Sequence, residues 1–150
     1  MFRASRHLTE QGLQIQADHV ATVIGASGSI GSQLSATLLK SGCRVAAVAR
    51  RQGRLELVRQ SLTSTGRIEI FPFDIVVEDA VRAGLTEIKS RMGRIDYLVY
   101  AAGIQPDQDT PLAQYTTQAW LETLGVYCTG FSWPSGKSFP SSTKGVISWR

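Results

Sequence analysis

The run Val20 to Gly31, VATVIGASGSIG, constrains this chain most: a short stretch rich in β-branched residues delivers Gly25, Gly28 and Gly31 into the start of a helical pattern. A buried parallel strand has to stop abruptly there, and the backbone has to come close to whatever sits at the strand end. Glycine meets both needs because it has no Cβ. A helix that begins at such a turn aims its free amide groups at an anion, so the segment reads as a phosphate cradle. The helical pattern continues through Gln33, Leu34, Leu38 and Leu39. A turn whose glycines serve only to connect strand and helix is the alternative reading.

Beyond the loop, strand and helix signals alternate. Cys43 to Ala49 predicts a second buried strand, and Gly53 to Thr65 a helix carrying Leu55, Leu57, Val58 and Leu62. Arg67 to Phe73 predicts a third strand. Ala80 to Met92 predicts a helix with Val81, Leu85, Ile88 and Met92 on one face, which Gly84 weakens without breaking. Arg94 to Tyr100 predicts a fourth strand ending in Ala101, Ala102 and Gly103. Strands separated by ten to fifteen helical residues imply βαβ crossovers and a parallel sheet, with the ligand crevice beyond the carboxyl ends of the strands.

At 150 residues, with 43% apolar and 19% charged residues, the chain suits one globular domain with a real core. No apolar run approaches the ~20 residues of a membrane span. The formal charge of +4 comes from basic residues scattered among acidic ones, without the clustered stripe of a nucleic-acid surface, so neither nucleic acid nor membrane is an expected partner. Cys43 and Cys128 lack CxxC spacing and neighbouring histidines, so no metal site is expected. Residues 1–19 form a lead with Arg3, Arg6 and His7 but with Glu10 and Asp18 as well; it has no secretion-signal core, and a mitochondrial presequence is the alternative to a default cytoplasmic location.

Four segments, in this order, resemble the short-chain dehydrogenase/reductase superfamily: IGASGSIG at Ile24 to Gly31, FPFDI with Asp74, GRIDYLVYAAGI at Gly93 to Ile104, and WLETLGVYCTG at Trp120 to Gly130. The resemblance covers about Val20 to Gly130 and implies a doubly wound, Rossmann-like α/β domain over 20–130, incomplete at its C-terminal side. The implied activity is hydride transfer between NAD(P) and a small-molecule alcohol or carbonyl. In that picture the pyrophosphate meets the backbone around Gly25, Ser27, Gly28, Ser29, Ile30 and Gly31, with a side-chain bond from Ser27 or Ser29. Asp74 would take the adenine amine, with Ile75 bordering the ring, and Ala101, Ala102 and Gly103 would run close to the ribose. Where an NAD-preferring site offers a carboxylate after the second strand, this chain offers Arg50 and Arg51, with Arg54 one turn on. Guanidinium groups match a ribose phosphate, so NADP is the expected cofactor, with NAD the alternative. Asp79, just before the third helix, is the expected helix cap, leaving Asp74 free for ligand.

The departures from the pattern are as informative. Glycine spacing GxxGxxG matches the family's extended members, whereas AAG and WLETLGVY look like its compact oxidoreductases. Tyr100 and Ala101 stand where the family has paired asparagines, and Tyr127 where it has the asparagine of the catalytic tetrad, which puts sheet stability and proton supply in question. The family's catalytic serine, tyrosine and lysine have no match: Tyr97, Tyr100, Tyr115 and Tyr127 are followed four places on by Ala101, Ile104, Ala119 and Phe131. No catalytic residue is therefore assigned, since a tyrosine base near neutral pH needs that lysine to lower a pKa of about 10. From 131 to 150 the chain is rich in serine and carries Pro134 and Pro140, so a long helix is not expected, and GVISW resembles the opening of a fifth strand. Three readings follow: a truncated oxidoreductase, a catalytically silent NADP-binding or partner-docking module, and a fragment unable to fold alone.

Overall fold

The computed structural model describes residues 15–62, 67–104, 111–130 and 145–148. Strand β1 (Val20–Ile24) leads into α1 (Ser29–Lys40), β2 (Arg44–Ala49) into α2 (Gln52–Ser61), and β3 (Ile68–Pro72) into α3 (Glu78–Met92). Then come β4 (Tyr97–Tyr100), a short 3-10 turn at Leu112–Gln114 and α4 (Thr117–Leu124), which runs on as π-helix over Gly125–Thr129. Strand β5 (Gly145–Ser148) pairs with β4, as the GVISW segment predicts. The serine-rich stretch before it and the N-terminal lead up to residue 14 lie outside the described residues, as do residues 63–65 of the predicted second helix.

All five strands run parallel in the order β3-β2-β1-β4-β5. Strand alternation splits the core in two. Ala21 and Val23 of β1 face Leu38 and Leu39 of α1 and Leu55 of α2, while Val20 and Ile24 face the α3 stripe of Val81, Leu85, Ile88 and Met92. Each buried Leu or Ile side chain removed from water contributes about 2 kcal/mol. Helices therefore cover both faces, and the architecture is a Rossmann-like doubly wound sheet. Its order reverses between β1 and β4, which opens a crevice at the carboxyl ends of those strands.

Two local readings are corrected. The fourth strand begins at Tyr97, not Arg94, because the buried Asp96 uses its side chain as well as its backbone to fasten the strand start. Its carboxylate accepts the Val20 amide at 2.9 Å and an Arg94 guanidinium N–H, and its own amide donates to the Val20 carbonyl at 2.9 Å. Asp79 does not cap α3: the cap position is Val77, with no side-chain bond, and Asp79 sits inside the first turn beside Glu78. Both carboxylates still favour the helix N-terminus electrostatically.

Burial pushes the Asp96 carboxyl up, but the Val20 amide and Arg94, with a smaller contribution from His19, hold it below the usual carboxylate range. A lowered folded-state pKa stabilises above the unfolded value and the stabilisation is lost as pH falls. Denaturant midpoints are expected to hold near neutral pH and drop from about pH 4 downward. Asp96→Asn should lower the neutral-pH midpoint and flatten that acid limb.

Thr22 lies between Val20 and Ile24 in β1, fully buried, and its hydroxyl has no hydrogen-bond partner. Thr22→Val removes that orphan at nearly constant shape, so thermal unfolding should show a gain of about 1 kcal/mol, a rise in Tm of about 2–4 °C. A lower Tm would mean that the hydroxyl is paired.

Candidate functional site

The crevice is built on the exit of β1. Gly25 adopts φ +86°, and its amide and that of Ala26 both donate to the Val48 carbonyl of β2, at 2.8 and 3.1 Å. A Cβ on Gly25 would lie 2.5 Å from the Ala102 amide nitrogen and 2.7 Å from the Ala101 carbonyl oxygen. The loop is therefore pressed against the exit of β4. One turn into α1, Gly31 is buried, and a Cβ there would stand 2.2 Å from the Gly25 carbonyl oxygen. Gly28 forms the extended N-cap of α1, with no side-chain cap and no acidic residue in the first turn. The helix start thus keeps its positive end without a protein carboxylate.

Of the residues singled out from the sequence, Gly25, Ser27 and Gly28 line one cleft together with Arg50, Arg51, Asp74, Ile75, Ala101, Ala102 and Gly103. Ser29, Ile30 and Gly31 form the first turn of α1 behind it; the Ile30 side chain is exposed, and Gly31 acts through its missing Cβ. Arg51 is the N-cap of α2, and Arg54 lies within its first turn and joins the cleft wall. Arg50 approaches Asp74 at 3.9 Å, and the other Asp74 oxygen accepts the Val76 amide at 3.1 Å. Asp74 is thus tied into its own turn and to Arg50, rather than left free as expected from a capping Asp79.

Tyr100 and Tyr127 tie down two residues that line the cleft, Val126 and Ile104. The buried Tyr100 hydroxyl donates to the Val126 carbonyl at 2.5 Å, and Tyr127 donates to the Ile104 carbonyl at 3.2 Å. The sheet is intact where the paired asparagines are replaced: Ala101 N–H donates to Ile24 O at 2.8 Å, and β4 pairs with both neighbours. Burial, with the nearby Tyr127 as a lesser cause, pushes the Tyr100 phenol well above its ordinary range.

Phe73, Ile104 and Val126 also line the cleft and were not singled out from the sequence. For Phe73 a signal existed, since it immediately precedes Asp74 and Gly84 interrupts the facing helix. Ile104 and Val126 come together only through the fold. Among the described residues, no helix is long and apolar enough to cross a membrane, and no cluster of three or more potential metal ligands occurs.

The family profile described as short chain dehydrogenase matches residues 19–147. The chain is 33% identical over 112 residues to 2,3-dihydro-2,3-dihydroxybenzoate dehydrogenase of Bacillus subtilis, covering 74% of this chain and 42% of that protein. It is 30% identical over 130 residues to farnesol dehydrogenase of Aedes aegypti, covering 85% of this chain and 53% of that one. Among solved structures, an actinorhodin polyketide ketoreductase with NADPH superposes with a TM-score of 0.73 at 27% identity, over 79% of this chain and 45% of that one. A Brucella melitensis member described as glucose/ribitol dehydrogenase reaches 0.79 at 23% identity, over 89% and 56%, and speaks to the fold alone. The chain spans about half or less of the length of the curated relatives it matches. With the ordered motifs, the parallel sheet and a profile match over most of its length, this chain belongs to the short-chain dehydrogenase family.

Proposed function

We propose that the cleft binds NADP(H), and that this chain supplies the cofactor half of an oxidoreductase acting on a small-molecule alcohol or carbonyl. The observation that carries the reading is the pairing of an uncapped α1 N-terminus behind Gly25 and Gly31 with three guanidinium groups, Arg50, Arg51 and Arg54, on the same cleft. The first is shaped for a pyrophosphate, and the second for the additional ribose phosphate. A bound nicotinamide would supply the hydride chemistry.

The chain's own residues divide the binding task. Amides from Ser27 to Gly31 receive the pyrophosphate, and the Ser27 or Ser29 hydroxyl adds a bond. Arg51 and Arg54 hold the ribose phosphate, while Arg50 serves both that phosphate and Asp74. Asp74 accepts from the adenine amine and Ile75 borders the ring. Ala101, Ala102 and Gly103 let the ribose come close to the backbone. None of the chain's tyrosines has a lysine four places on, so no residue is assigned as the acid or base. That favours binding without turnover, as in a silent NADP-binding or partner-docking module, for the 150 residues taken alone.

Thermal unfolding and calorimetry test both parts. NADPH at about one hundred times its Kd adds about 2.7 kcal/mol, which raises Tm by about 5–10 °C. Arg51→Ala combined with Arg54→Ala should weaken NADPH about tenfold or more and leave NADH within about twofold, because only the phosphate loses charge-assisted partners. Equal losses for the two cofactors would overturn the NADP assignment. NADPH oxidation on addition of a panel of aldehydes and ketones should stay at the protein-free rate; a clear carbonyl-dependent rate would overturn the silent reading.

A further inference from the structure

We propose that Gly84 is a positioning residue for the adenine end of the cleft: by lacking a side chain it seats the Phe73 ring against α3 and keeps that ring out of the space a purine base would occupy. The inference rests on the nucleotide reading above and concerns a residue that touches no ligand. Gly84 is buried in the interior of α3, where glycine costs about 1 kcal/mol relative to alanine. The seat explains that cost. A Cβ on Gly84 would stand 2.3 Å from Phe73 Cε1, 2.4 Å from Cδ1 and 2.9 Å from Cγ. The overlap reaches the root of the ring, so a small flexing of its tip does not relieve it.

The displaced ring has few places to go. Inward lie Val81 and Ile88, fully buried in a close-packed core. The backbone cannot follow easily, because the next residue, Asp74, is fixed in its turn by the Val76 amide at 3.1 Å and faces Arg50 at 3.9 Å. The open side is the cleft, whose wall Phe73 shares with Asp74 and Ile75. A methyl group on α3 is therefore converted into a ring pushed among the residues assigned to adenine. An aromatic wall in its native seat suits a flat heteroaromatic base.

Titration calorimetry of the full chain with adenosine 2′,5′-bisphosphate, which carries the adenine and the ribose phosphate without the nicotinamide arm, tests this. Thermal unfolding without ligand is recorded alongside. Gly84→Ala should weaken the bisphosphate about tenfold while the protein still unfolds cooperatively. Phe73→Ala alone should cost about threefold, and Gly84→Ala with Phe73→Ala should bind as Phe73→Ala does, because alanine has no Cγ or ring atom to meet the new methyl. Phe73→Trp overfills the same seat from the other side and should weaken binding as well. This variant decides the matter if Gly84→Ala alone does not fold. Wild-type affinity in folded Gly84→Ala or in Phe73→Trp, or a double variant as weak as Gly84→Ala, would overturn the positioning role while leaving nucleotide binding intact. Wild-type protein that takes up neither the bisphosphate nor NADPH would overturn the nucleotide reading, and this inference with it.

Discussion

The approach of three backbone segments within van der Waals range, made possible because two of them carry no side chain at the point of contact, is what the rest of the architecture depends on. Gly25 lies against Ala101 and Ala102, and Gly31 lies against Gly25, so the exits of β1 and β4 and the start of α1 meet almost atom to atom. Two bonds from the loop to the Val48 carbonyl hold this junction on β2. Any Cβ at Gly25 or Gly31 would force the strands apart or tilt α1, and the crevice at the reversal of strand order would lose its floor. Arg50, Asp74 and Ile75 reach the same cleft because the parallel sheet brings every strand exit to one edge.

Much of this was legible in the chain, for identifiable reasons. Short apolar runs alternating with helical stripes specify a parallel sheet, and periodicity located β1 to β4 and the first three helices to within a few residues. What periodicity does not carry is the side chain that imitates backbone. Asp96 performs that task at the head of β4, and Asp74 does so at the turn after β3 through its bond to the Val76 amide. Asp79, the more obvious cap by position, lies inside the helix instead. The Asp96 carboxylate takes an amide 76 residues away, a choice set by tertiary structure, whereas Asp74 closes a local turn with the amide two residues on.

The cleft shows the same division. Its glycines, arginines and small residues announce themselves by type and spacing, whereas Ile104 and Val126 come to one cleft only when the π-helical turn after α4 docks on Tyr100 of β4. Gly84 is the intermediate case. It reads as a blemish in a helical pattern until the ring of Phe73 is seen resting on it.

The two tyrosines that hold Val126 and Ile104 have their protons committed to the main chain. Each phenol has one proton to give, and each gives it to a main-chain carbonyl, Tyr100 to Val126 and Tyr127 to Ile104. Tyr100 is buried and strongly disinclined to ionise. A hydroxyl proton committed in this way braces a wall. Among the described residues these two phenols are thus braces between main-chain segments, Tyr100 in the buried interior and Tyr127 half-exposed to water.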